Sequence, residues 1–236
     1  MRLWRFARAE LGVVAALGVV AGGVAAFVEI ADDMTEADGQ AFDQVVLHTL
    51  HPGADPGVAW GPHWLQTAAL DITALGSLAV LILFALIATG FLLFQKKIYS
   101  ALMLAFALGG GLMLSEVLKG VFERDRPPEI FRAVETINAS FPSGHALLST
   151  VFYLTLGVML ERAFARQRLK IYALVVAVLL SLLVGLSRIY LGAHWASDVM
   201  AGWSLGAAWA MTCWLIAYAV QRWAVKKGLE DAEAGR

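Results

Sequence analysis

Lys119, Arg126, Arg188, His145, His194 and Asp198 bring three permanent cations, two imidazoles and one carboxylate into the stretch between residues 119 and 198. They fall in three clusters: Lys119-x6-Arg126-Pro127, Pro142-Ser143-Gly144-His145 and Ser187-Arg188-x5-His194-x3-Asp198. A phosphate ester spreads its negative charge over several oxygens. Its transfer needs that charge neutralised and the attacking and leaving atoms held in line. Arginine's planar fork grips two phosphate oxygens at once, and lysine acts as a point charge. Lys119, Arg126 and Arg188 are therefore expected to bind phosphate. Pro127 fixes the backbone just after Arg126 and biases Arg126 away from helix.

Ser143-Gly144-His145 stands where an apolar run begins, so it reads as a helix start preceded by Pro142. A helix N-terminus offers unpaired N–H groups and partial positive charge to an anion. Ser143 can add a hydroxyl donor, and Gly144 lets the backbone approach an oxygen closely. Residues four apart share a helix face. Asp198 can then accept from one ring nitrogen of His194, which fixes the tautomer and leaves the other nitrogen free to attack phosphorus. On this reading His194 is the nucleophile, Asp198 orients it, and His145 protonates the leaving oxygen and later activates water. Each piece has an ordinary meaning alone: an interfacial histidine, an Arg-Pro turn, a helix start. Their conjunction, in order, selects the chemical one.

The elements that must position these groups are apolar. The chain has 236 residues, 59% hydrophobic and 16% charged, against about 25% charged in ordinary soluble domains. Net charge is −1, which gives no global field for nucleic acid. The lone cysteine, Cys213, excludes an intrachain disulfide framework and leaves too few thiols for a Cys-based zinc site. It reads as a small buried hydrophobe. A hydrocarbon core takes about 20 apolar helical residues. Six candidate spans follow, at 11–28, 72–94, 101–118, 146–160, 171–186 and 199–220, the fourth and fifth being short. No run alternates with period two, so the expectation is an all-α bundle of six transmembrane helices in a single domain, 1–236.

With both termini placed in the cytoplasm, the inner connections hold Arg2, Arg5, Arg8, Lys96, Lys97, Arg162, Arg166, Arg168, Lys170, Arg222, Lys226, Lys227 and Arg236. The outer side keeps Lys119, Arg124, Arg126, Arg132 and Arg188. This satisfies the positive-inside bias, and the outer exceptions lie in or beside the three clusters. The start also resembles a signal peptide, but the apolar run exceeds the usual h-region of about 7–15 residues, which favours an uncleaved span. Segment 31–67 is the longest polar connection. Phe42, Val45, Val46, Thr49 and Leu50 recur there at helical spacing, which predicts a short extracytoplasmic amphipathic helix with Asp38 as N-cap. It either shapes lipid entry or packs over the bundle mouth. Trp60, His63 and Trp64 fit an interfacial belt. The charged tail 226–236 reads as frayed.

The three clusters resemble the signature of the type 2 phosphatidic acid phosphatase (PAP2) superfamily, K-x6-RP, PSGH and SR-x5-H-x3-D, with no departure at any motif position. The resemblance implies a six-helix membrane bundle with its site on the periplasmic or extracytoplasmic face of an inner membrane. It implies hydrolysis of a lipid phosphate or pyrophosphate through a phosphohistidine, with no metal and no other cofactor. By motif position it gives phosphate binding to Lys119, Arg126, Ser143, Gly144 and Arg188. It gives the acid, nucleophile and orienting roles to His145, His194 and Asp198. Family members act on phosphatidylglycerophosphate, undecaprenyl pyrophosphate, phosphatidic acid or lipid A, and the shared motifs do not choose among them. Phosphoryl transfer to a second lipid would use the same histidine. A non-catalytic lipid-phosphate binder or transporter would be expected to lack one of the two histidines. The partners are thus a lipid phosphate and the bilayer, with monomer and homodimer both open.

Outside the signature, Glu116 is one turn before Lys119 and is read as its salt-bridge partner, with headgroup choice as the alternative. Asp71 is expected to cap a helix or face the bundle interior. Glu123, Arg124, Asp125, Arg132 and Glu135 read as solvated loop charge, with headgroup contact by one or two of them as the alternative. Gly109-Gly110-Gly111 is expected to permit close helix approach, and Tyr190 and Trp195 to line a lipid entrance.

Overall fold

The computed structural model describes the backbone of residues 2–136 and 138–234, and the side chains within these except at 2–9, 161–163, 226 and 228–234. The described residues are helical: α1 (Arg2–Asp33), α2 (Ala37–Leu50), α3 (His63–Ala74), α4 (Leu78–Phe94), α5 (Ile98–Phe122), α6 (Gly144–Ala163), α7 (Gln167–Tyr190) and α8 (Ala196–Ala234). A 3₁₀ turn at Glu129–Phe131 interrupts the loop between α5 and α6. Side chains of six residues in the inner charge tally, Arg2, Arg5, Arg8, Arg162, Lys226 and Arg236, lie outside the described residues. The tail expected to fray continues as helix to Ala234.

Length and composition qualify four helices as membrane spans: Glu10–Asp33 of α1, α5, α7, and Ala196–Val225 of α8. The expected single span 72–94 is broken. α3 and α4 meet at 49°, and counting them together makes five spans. Gly76 sits at the break, where a Cβ would run into Val184 and stand 3.4 Å from His145 Cδ2. Ser77 restarts the helix by accepting from the Val80 N–H at 3.4 Å. The predicted fourth span, α6, has only Gly144–Leu160 as a shorter apolar stretch.

α6 falls short because it is enclosed by protein rather than by lipid. It packs against α4, α5, α7 and α8, and Leu147, Val151 and Phe152 are buried in the core with Leu81 of α4 and Leu104 of α5. Such a helix tolerates hydroxyls. Ser149 and Thr150 are buried and both donate to the Ala146 carbonyl, at 3.3 and 2.7 Å. The outward faces are the reverse. Leu86 and Ile87 of α4 and Val175 of α7 are all more than half exposed, as lipid-facing residues should be.

Lipid tails are as apolar as leucine, so helix contacts in a bilayer depend on close approach of small residues. Gly202 and Gly206 of α8 supply it against α6: a Cβ on Gly202 would stand 2.8 Å from the Ser143 carbonyl, and one on Gly206 2.8 Å from the Leu147 carbonyl. In the glycine triplet of α5, Gly110 meets the Trp209 ring and Gly111 faces α6, while Gly109 faces open space.

Candidate active site

Consecutive antiparallel helices bring the three clusters to one end of the bundle. Lys119 is in the last turn of α5, Ser143 caps α6, Arg188 is in the last turn of α7, and His194 lies in the short turn before α8. That turn depends on Gly192, whose φ of +63° suits glycine and whose missing Cβ makes room for the Phe131 carbonyl. The turn places His194 two residues ahead of the helix that carries Asp198.

The His194 ring is almost wholly buried. Its Nδ1 is 3.3 Å from Asp198 Oδ2, and its Nε2 is 3.1 Å from the Arg126 Nη1. Guanidinium donates only, so Nε2 is the accepting nitrogen and Nδ1 carries the proton given to Asp198. Burial pushes His194 down to about 4, so the ring is neutral at physiological pH. Arg126 is fixed by three carbonyls, Asn138 at 2.6 Å, Ala193 at 2.8 Å and Ala139 at 3.3 Å. Buried Pro127 follows it, and the Pro127 carbonyl accepts from Arg132 Nε at 2.7 Å.

Across the site, Arg188 is 5% exposed and its Nη1 donates to Thr73 Oγ1 at 3.2 Å, while Nε has no hydrogen-bond partner among the described residues. Thr73, next to the α3–α4 break, was not singled out by sequence. Lys119 Nζ pairs with Glu116 Oε1 at 3.4 Å, and Glu116 is half exposed. The position of a Cβ on Gly144 would be 3.4 Å from Lys119 Nζ. Ser143 accepts from the Ala146 N–H at 3.5 Å as the helix cap, and its own N–H donates to the Asp198 carbonyl at 3.0 Å. Pro142, joined to Phe141 by a cis peptide bond, is buried behind it. Half-buried His145 lies in the field of Arg188, His194, Lys119 and Arg126. All the residues selected by spacing thus gather at one site: a neutral imidazole beside three cations, a second imidazole, and a buried carboxylate. Such a cluster can hold a phosphate and present a nitrogen lone pair to it.

Sequence reasoning missed a second layer. Arg124, expected to be loop charge, reaches inward: Nη1 donates to Asp198 Oδ1 at 2.6 Å and to Ser197 Oγ at 2.7 Å, and Nη2 to Asp43 Oδ2 at 2.7 Å. Ser140 donates its hydroxyl to Asp198 Oδ2 and lies 3.3 Å from His194 Nδ1. The predicted amphipathic helix exists as α2. Phe42 and Val45 are 48% and 64% exposed, while Asp43 is 2% exposed and faces the protein. Its N-cap position is Glu36, with Asp38 in the first turn. Apolar periodicity marked the exposed stripe, and only a three-dimensional partner explains the buried aspartate. Asp71 is exposed rather than interior. Tyr190 donates to the Trp60 carbonyl at 2.8 Å and Trp195 Nε1 to the Asp125 carbonyl at 2.9 Å, so both tie loops together beside the site.

An apolar cavity of about 440 Å³ opens at the opposite end of α5, beside Lys97 and Cys213. Its lining contains no histidine or carboxylate, so it lacks the means for this chemistry. Among the described residues, no group of three or more His, Cys, Asp and Glu side chains is arranged to hold a metal ion.

Known proteins resemble the chain in sequence and in fold. Over 146 residues the chain is 32% identical to phosphatidylglycerophosphatase B of Bacillus subtilis, covering 61% of this chain and 70% of that protein. Over 116 residues it is 31% identical to undecaprenyl-diphosphatase of Sulfolobus acidocaldarius, covering 47% and 51% respectively. The crystal structure of the transmembrane PAP2-type phosphatidylglycerolphosphate phosphatase from Bacillus subtilis superposes with a TM-score of 0.77 at 25% identity, over 84% of this chain and 97% of that one. Aquifex aeolicus LpxE shares the fold, with a TM-score of 0.54 at 22% identity over 75% and 94%. The family model for the PAP2 superfamily matches residues 74–222, from the break between α3 and α4 to the distal part of α8, and the chain belongs to that superfamily.

Proposed function

We propose that this protein is a membrane lipid phosphatase that hydrolyses a lipid phosphate or pyrophosphate through a phosphohistidine on His194. The observation that carries the reading is the clamp on His194: a carboxylate on Nδ1 and a phosphate-type cation on Nε2. A phosphoryl group drawn to Arg126, Arg188 and Lys119 takes over with its oxygens the Arg126 Nη1 hydrogen bond that Nε2 accepts in the free protein, and so frees the Nε2 lone pair to face phosphorus. Nε2 bonds to phosphorus, the bond from phosphorus to the lipid oxygen breaks, and protonated His145 gives its proton to that oxygen. The negative charge of the bound phosphate favours the protonated form of His145. Asp198 stabilises the positive charge that develops on the His194 ring. Neutral His145 then takes a proton from water as water attacks the phosphohistidine, releasing phosphate and restoring His194.

The substrate classes are those of the relatives, phosphatidylglycerophosphate and undecaprenyl pyrophosphate, with phosphatidic acid as a third. The proposal includes six membrane crossings, α6 being the short one enclosed by its neighbours. It also includes cytoplasmic termini and a site on the extracytoplasmic side. The Lys/Arg distribution supports this orientation.

Phosphate release from the purified protein in detergent tests the reading, on a panel of these three lipids and a lipid A phosphate. Wild type is expected to turn over at least one, and His194→Ala none while folding normally. Near-wild-type release by His194→Ala would remove the mechanism.

A further inference from the structure

We propose that Asp43 and Arg124 are positioning residues for the active site, so that α2, which precedes the segment 74–222 matched by the family model, holds Asp198 in register with His194. The inference rests on the proposed role of His194.

The four side chains form a continuous chain of contacts. Asp43 Oδ2 meets Arg124 Nη2 at 2.7 Å, Arg124 Nη1 meets Asp198 Oδ1 at 2.6 Å, and Asp198 Oδ2 meets His194 Nδ1 at 3.3 Å. Ser197 closes the first link: its hydroxyl donates to Asp43 Oδ2 at 2.5 Å and accepts from Arg124 Nη1 at 2.7 Å, and its N–H donates to Asp43 Oδ1 at 3.0 Å. Both carboxylates are essentially without solvent, Asp43 at 2% exposure and Asp198 at 0%. Two buried carboxylates so close are tolerable only with a cation between them, and among the described residues Arg124 is the only Lys or Arg within ion-pair distance of either.

The geometry goes further than charge balance. Asp198 has two oxygens with separate duties. Oδ2 receives the Ser140 hydroxyl, the Trp195 N–H at 2.9 Å and the His194 ring. Oδ1 receives Arg124. A carboxylate held on one oxygen can rotate about its Cβ–Cγ bond, whereas one held on both cannot. Arg124 thereby fixes the plane that aims Oδ2 at Nδ1. The Arg124 fork is itself anchored at its other nitrogen by Asp43. Residue 43 lies before the matched segment 74–222, so the N-terminal part of this chain supplies the anchor. The outer face of the same helix carries exposed Phe42 and Val45, so α2 presents the anchor inward and apolar side chains outward.

The experiment measures kcat and KM in detergent for wild type, Asp43→Asn, Arg124→Gln, Arg124→Lys and the Asp43→Asn/Arg124→Gln pair, with His194→Ala as control. Charge-assisted hydrogen bonds of this kind correspond to about 10- to 100-fold in rate. Arg124→Gln is expected to lower kcat by that factor with KM within about threefold, and Arg124→Lys to recover part of it. Asp43→Asn, the mildest change, should cost about tenfold, and the pair should cost less than the product of the single losses because both act through one contact. Folded Asp43→Asn and Arg124→Gln with kcat within about twofold of wild type would overturn the proposal while leaving the phosphatase reading intact. Turnover by His194→Ala would instead remove that reading. A measurement without substrate decides the positioning claim separately: the 15N shifts of His194 should move toward a mixed tautomer in Arg124→Gln, and unchanged shifts would overturn it.

Discussion

Arg126 Nη1 stands 3.1 Å from His194 Nε2, with the guanidinium held beside the ring by three backbone carbonyls. The cation and the attacking nitrogen are thus pre-set at contact distance before any substrate arrives. A phosphate that accepts the Arg126 hydrogen bond in place of Nε2 frees the lone pair next to phosphorus, which is the kind of positioning that lowers a phosphoryl-transfer barrier. Arg126→Lys retains the charge but has no fork to engage the Asn138, Ala139 and Ala193 carbonyls. We expect kcat to fall by about 100-fold, as when one preorganised donor is lost, and Arg126→Ala to fall further. Steady-state kinetics on the preferred lipid checks both. A fully active Arg126→Lys enzyme would show that charge alone is required.

Burial sets the acid–base state of the nucleophile. An ordinary histidine changes charge near 6.5, whereas His194 is held down to about 4, first by desolvation and against the opposing pull of Asp198. Its lowered value means the ring stays neutral as pH falls through 6.5 and gains its proton only near 4. We expect 15N-histidine spectra in detergent micelles, assigned with His194→Ala, to show no titration of His194 between about pH 5 and 8. A midpoint near 6.5 would mean that the ring is solvated and the site more open than described. Because the measurement needs no substrate, the ionisation of the lipid phosphate does not enter it.

The superfamily and the three clusters were legible because they are local. K-x6-RP, PSGH and SR-x5-H-x3-D fall within a few turns of chain, and the family match bears out the resemblance drawn from them. The approximate places of the long helices were legible from apolar length. What was hidden depends on contacts between distant segments. Arg124 and Asp43 are 81 positions apart, and Ser140 and Asp198 are 58 apart. Nothing in either local sequence distinguishes such a charge from one in solvent. The break at Gly76 was hidden for the same reason: its close approach to Val184 and His145 is tertiary. Length and apolarity alone mark four spans, or five with the bent pair joined, because α6 is short and its surroundings are other helices.

The alignment of the two halves of the site rests on the α6–α8 contact. α6 carries His145 and α8 carries Asp198, and Gly202 lets the backbones meet so that the Ser143 N–H reaches the Asp198 carbonyl at 3.0 Å. Gly202→Ala puts a methyl 2.8 Å from the Ser143 carbonyl and 2.9 Å from Ala146 Cβ. Neither neighbour is the end of a flexible side chain, so the helices must separate. Overpacking of this kind costs about 1–3 kcal/mol, and we expect a melting temperature lower by several degrees in detergent, with Gly202→Leu worse. Separation also carries Asp198 and His194 away from His145, so kcat should fall together with stability. Gly90→Ala on α4 is the matched control: its Cβ meets nothing within 4 Å, and the gain in helix propensity should leave it neutral or slightly stabilised. Thermal melts and kcat on the three proteins separate the cases. If Gly202→Ala melts and turns over like Gly90→Ala, then the close contact does not set the geometry of the site.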